Sequence, residues 1–208
     1  MTLEEAKEYL HFVDNVLGQL IFERQCYLDF HNALIAQKAK LNLFISWTLG
    51  NYHRNLIMNL CKILEPRKDD KDKHTLRFFV QFCKDNYQLL EETMQKATVT
   101  FTDVTTGELH EHSIGPEMLE ALHNVDFDAD LAKIDMMHRK LKRCRDKRLA
   151  HNYKTANEIP FPPIDELHGF IDIIEQMMVT YHHLFREGID NSGLKHPNRY
   201  GNFNLHLA

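Results

Sequence analysis

Long apolar runs are missing from this 208-residue sequence. None approaches the roughly 18 residues that suggest a transmembrane helix, so no membrane association is expected. The opening Met1-Thr2-Leu3-Glu4-Glu5-Ala6-Lys7-Glu8 has neither a basic stretch nor an apolar one, and it reads as no signal peptide. Cysteine is sparse: Cys26, Cys61, Cys83 and Cys144 are scattered and form no C-x-x-C pair. That spacing argues against a zinc ribbon and against a disulfide framework. A reducing compartment, the cytoplasm, is the simplest expectation. No Gly-rich phosphate loop and no Gly-x-Ser-x-Gly elbow is found, which weakens nucleotide-hydrolase and esterase readings. Internal repeats and low-complexity tracts are lacking too.

What is there suits a single folded domain, since 43% hydrophobic and 26% charged residues are ordinary for a packed protein of this length. The net charge of −5 is unevenly spread. Residues 133–154 hold nine Lys or Arg against two Asp, a local charge of +7, so the remainder carries −12. Such a chain is no general nucleic-acid binder, yet it concentrates basic charge at one place.

Apolar periodicity predicts an all-α fold with a small inserted β-hairpin. Residues 3–36 read as helix, with a change of segment near Gly18, a cap at Thr2 and Glu5 three residues on. Leu10, Val13, Val16, Leu17, Leu20 and Ile21 recur at three- and four-residue steps and mark one buried face. A second helix covers 40–64, with Phe44, Trp47, Leu56, Leu60, Ile63 and Leu64 as apolar positions, and Pro66 ends it. Thr75 can cap a third helix over 75–96. The β-branched alternation of 98–104, a turn signal at Thr105-Thr106-Gly107-Glu108 and a return over 109–114 predict the hairpin. Gly115-Pro116 opens a short helix to 124, and a longer one spans 127–148, capped by Asp126 or Asp128. A Pro-rich loop closes at Pro163, and the last helix runs over 164–187 with Leu167, Phe170, Ile174, Met177, Met178, Tyr181 and Leu184 inward. The domain therefore covers 1–187, with 98–114 as an insertion and 188–208 as a tail.

On a wheel of about 100° per residue, Phe127, Ile134, Met137, Leu141 and Cys144 form the buried stripe of the helix over 127–148. Arg139, Arg143 and Asp146 fall on the solvent side. Arg145 and Arg148 instead continue the apolar stripe, and a guanidinium is seldom buried without a partner. Something acidic should meet them: a carboxylate, a second subunit or a phosphate ligand. His151 follows just past the helix end. A structural reading stands beside this one. Cations in a last helical turn gain about 0.3–1 kcal/mol each from the macrodipole, and the arginines can pair with acids of the bundle.

Other constellations carry less. Asp126-x-Asp128-x-Asp130 begins like a calcium loop, but Leu131 replaces the required Gly and Met137 the required Glu, so helix capping is the better account. Glu8-x-x-His11 and Glu120-x-x-His123 match di-iron pairs without the further carboxylates such a site needs. His110 and His112 share a strand face with no third ligand evident. Trp47 and Met177-Met178 read as core. No metal site and no cofactor is expected.

Arg145-Asp146-x4-His151 resembles the signature of the HEPN superfamily: Arg, a polar residue, then His after a few intervening positions, at the end of a long helix in a helical bundle. The string Arg145-Asp146-Lys147-Arg148-Leu149-Ala150-His151-Asn152 is similar to the abortive-infection branch, as are Trp47, Leu60-Cys61-Lys62-Ile63-Leu64-Glu65 and His74-Thr75-Leu76. Glu65 stands where that branch leads one to expect Asp. The likeness spans 40–95 and 127–185, leaving out the hairpin and the tail. It implies a dimeric, metal-independent endoribonuclease, a toxin or phage-defence effector, with sites formed across a two-fold interface and an antitoxin protein as a further partner. Arg145 and His151 would be catalytic, with Asp146, Arg148, Asn152 and Lys142 binding the RNA substrate. The alternative is a non-catalytic module of the same fold that holds RNA, a nucleotide or a partner protein.

Overall fold

In the computed structural model, the described residues are 3–65, 75–96, 98–103, 107–146 and 160–185. They form seven helices and one hairpin: α1 (Leu3–Ala36), α2 (Leu43–Leu64), α3 (Leu76–Asp85), α4 (Tyr87–Gln95), β1 (Thr98–Thr102), β2 (Leu109–Ser113), α5 (Gly115–His123), α6 (Phe127–Cys144) and α7 (Ile164–Phe185). The protein is an all-α bundle with a small hairpin. Against α6 lie α2 and α3; α7 rests on α1 and α5, and α4 pairs with α5.

Helix starts follow local chemistry. The side chains of Asn42, Thr75 and Asp126 accept hydrogen bonds from the amides of Ile45, Phe78 and Ala129, satisfying donors that no preceding turn can reach. Asp126 thus takes the capping role; Asp128 pairs with Lys84, and Asp130 meets Lys133 and the Tyr181 hydroxyl. Each member of the calcium-like triplet has a protein partner. α1 is one uninterrupted helix through Gly18, and Lys38 (φ 49°) leaves its end in the left-handed region. Thr2 and the side chain of Glu5, the proposed cap and its partner, lie outside the described residues.

The helix expected over 75–96 is two helices. Asn86 (φ −114°, ψ 28°) steps out of helical geometry and donates its side-chain amide to the Phe82 carbonyl, the competition with backbone bonding that disfavours Asn within a helix. This break lets α4 turn onto α5 at close range. A Cβ on Gly115 would sit 2.8 Å from the carbonyl oxygens of Met94 and Gln95, so the approach requires glycine. In the hairpin, Thr98–Ser113 and Thr102–Leu109 are the outermost antiparallel pairs, and Gly107 (φ 74°) carries the turn.

One continuous core holds Leu10, Val13, Leu17, Leu20, Leu56, Leu60, Leu64, Phe79, Ile134, Leu141 and Tyr181, each buried. The expected apolar faces of α1, α6 and α7 all point into it, Met177 and Met178 included. Trp47 and Phe44 do not. They stack on each other at 6.5 Å and are 64% and 67% exposed, beside Leu41 (75%) and Leu43 (91%). In that first stretch of α2 only Ile45 turns inward. The Trp47 expected in the core lies instead on a surface, about 27 Å of helix from Glu65 at the 1.5 Å rise per residue.

Candidate functional site

Glu65 ends α2: its backbone turns extended (φ −68°, ψ 124°) while its N–H still donates to the Cys61 carbonyl. Its carboxylate, 20% exposed, meets Arg145 Nη1 at 3.0 Å. Arg145 stands where α6 passes into a π turn formed by Arg145 and Asp146. There its Nε donates to Asp146 Oδ1 at 2.8 Å, and Nη2 lies 2.8 Å from the same oxygen. The guanidinium is 17% exposed. A part-buried cation with an acid at hand is what the helix wheel required, and the acid is intramolecular. The i→i+5 spacing of a π turn departs from α-helical stepping. Asp146, assigned by the wheel to solvent, is accordingly only 40% exposed and bonded to Arg145.

Burial works against the charge of Arg145, but the hydrogen bonds to Asp146 and Glu65 outweigh it, and the group is held above its ordinary range. Three of the five guanidinium N–H donors serve these carboxylates, and the other two meet no acceptor among the described residues. Counted by formal charge, the triad is −1, so an anionic ligand there must draw on neighbouring cations. Lys142 and Arg143 on the same helix end are exposed and form no ion pair among the described residues. Of the other expected site residues, Arg148, His151 and Asn152 lie outside the described residues. The triad thus joins Arg145 to Asp146 and leaves Lys142 on the open surface.

His138, which the sequence reading passed over, is 5% exposed, and its Nε2 is buried without a hydrogen-bond partner. Burial lowers its pKa; Glu65 pulls it up, and Arg145 and Lys142 push it down. A neutral imidazole therefore lies within the field of the triad. The wheel held the signal, for His138 falls about 60° from Leu141 on the buried stripe. Cys61, near the same guanidinium, is pushed up to about 12, chiefly by burial, and remains a thiol.

A cleft of about 920 Å³ runs between α6 and the 160–163 segment, with Cys144 in its lining. No three His, Cys, Asp or Glu side chains among the described residues converge as a metal ligand set. His123, from one of the Glu-x-x-His pairs, contacts Glu91 instead, and His110 is exposed on β2. No described helix is long and apolar enough to cross a membrane. The chain matches no family model, no curated protein and no solved structure.

Proposed function

We propose that this chain is a HEPN-like, metal-independent endoribonuclease that works as a cytoplasmic homodimer, as a toxin or phage-defence effector held in check by an antitoxin protein. The observation that carries the reading is Arg145: a part-buried, permanently charged guanidinium at the end of the long α6 of a helical bundle, with two N–H groups that meet no acceptor among the described residues. In this reading Arg145 donates to the non-bridging oxygens of the scissile phosphate as charge builds on phosphorus. His151 takes the proton of the ribose 2′-hydroxyl or returns one to the leaving oxygen, the work for which an imidazole is suited. A P–O2′ bond forms and the P–O5′ bond breaks, and the symmetry-related His151 supplies the complementary acid or base. Asp146 orients Arg145, while Lys142, Arg148 and Asn152 hold neighbouring parts of the strand.

A second reading has its own support. Glu65 and Asp146 already occupy Arg145, which suits a strut within a non-catalytic module that binds RNA, a nucleotide or a partner protein through its exposed cations. One experiment separates the two. Purified protein is incubated with mixed RNA in EDTA, and wild type is compared with His151→Ala and Arg145→Gln. The nuclease reading expects cleavage by wild type alone. Salt-sensitive binding without product, weakened by Lys142→Ala and Arg148→Ala, supports the module instead.

A further inference from the structure

The cleft beside α6 has two unlike walls. One is basic. Arg139 and Arg143 stand four residues apart on one side of α6, about 6 Å along its axis, with Lys140 between them. Lys140 is neutralised by Glu166, across the cleft, and lies 5.9 Å from the centre of the Phe170 ring. Arg139 uses its Nε on the Asp135 carbonyl of its own helix at 3.2 Å, which leaves the terminal amino groups, and Arg143 has no ion-pair partner among the described residues. Two cations along this wall therefore have no ion-pair partner among the described residues.

Apart from Glu166, whose carboxylate is engaged by Lys140, the facing wall is apolar and fixed. Phe161 lies in the run from Pro160 to Pro163, and the Pro162 carbonyl is 2.8 Å from His53 Nε2 of α2. The His53 ring also backs Phe161 at 4.9 Å. Proline restricts the backbone here, so the aromatic side chain is presented by a stiff segment tied to the bundle.

The geometry points to a single-stranded RNA subsite: successive phosphates on Arg139 and Arg143, and an unstacked base against Phe161. Positive charge that tracks a backbone, opposed by an aromatic ring, is the combination that holds single strands. Bases within a duplex are stacked on each other and cannot offer a face to such a ring. The volume falls in the roughly 300–1,000 Å³ range of small-ligand sites, which suits a short stretch of strand rather than a double helix. An acidic peptide would satisfy the arginines but leave the aromatic wall without a matching planar group. The inference rests on the reading above only in taking RNA as the ligand; it does not need cleavage.

The test uses a fluorescent, mixed-sequence, single-stranded 2′-O-methyl oligonucleotide, which has no 2′-hydroxyl to attack, titrated by anisotropy over a salt series. The variants are the double Arg139→Gln/Arg143→Gln and the single Phe161→Leu. Both arginines are exposed, so the double variant should fold, and circular dichroism checks this. Loss of two phosphate contacts should weaken binding and reduce the slope of log K against log salt by about 1.4, at 0.7 per contact. Phe161→Leu should weaken binding roughly tenfold with the slope unchanged. A matched duplex should bind more weakly than the single strand. Unchanged affinity and slope in the arginine double variant overturn the proposal. So does a cleft that ignores the oligonucleotide but takes poly-glutamate through the same arginines, which would make it an acidic-protein site. Should the oligonucleotide bind as described while wild type cleaves no unmodified RNA, the subsite stands and the nuclease reading alone fails.

Discussion

Arg145 keeps its charge where little water reaches it because two carboxylates replace the solvent. Hydrogen bonds to charged groups contribute about 1.5–3 kcal/mol, so Arg145→Gln should destabilise the fold by that order, measured by urea denaturation. Glu65→Gln should do the same, and the pair should couple by about 0.5–3 kcal/mol in a double-mutant cycle. Additive single effects would mean that the ion pair does not form in solution. His138 makes a different forecast. Burial, with Arg145 and Lys142, lowers its pKa from 6.5 in the fold, so below that value the unfolded chain binds more protons than the native one. Its contribution is therefore full above about pH 6.5 and lost as pH falls further. His138→Leu, which removes both the titration and the orphaned Nε2, should flatten the pH dependence of the urea midpoint between about pH 7 and 5. His168, also depressed by burial and by Arg24, leaves part of the slope in place. An identical pH profile in wild type and variant would remove His138 from the account.

Elements carry information that single residues do not. The closeness of α4 and α5 depends on Gly115, and Gly115→Ala should cost about 1–3 kcal/mol by forcing a methyl against two backbone oxygens. An unchanged denaturation midpoint would show that these helices lie further apart. The caps at Thr75 and Asp126, the hairpin, and the buried stripes of α1, α6 and α7 were legible because each is set by residues close in sequence. The break at Asn86 was not, since the same apolar spacing continues through α3 and α4 and only the Asn side chain's bond to Phe82 reveals the step. Trp47 was misplaced for a related reason. Phe44 and Trp47 recur at helical spacing like a core stripe, but burial also needs a facing element, and α2 presents them to none of the described ones. Of the site, the need for an acid beside Arg145 could be read locally; its identity, Glu65, is eighty positions away in the chain and required the fold. The cleft was hidden likewise, for the wheel returned Arg139 and Arg143 as ordinary solvent-facing cations.

For the whole molecule, the proposed two-fold dimer must bring two α6 ends together. The exposed Trp47 and Phe44 surface lies at the other end of α2, so a dimer built there would keep the two Arg145 turns apart. Sedimentation should accordingly give a dimer for wild type and for Trp47→Lys alike. A monomer produced by Trp47→Lys would place the subunit contact at the wrong end for a composite site. The most direct test remains RNA cleavage in EDTA by wild type, His151→Ala and Arg145→Gln, each checked for folding. The account predicts products from wild type alone; wild type that leaves RNA intact, or cleavage undiminished in both variants, would contradict it.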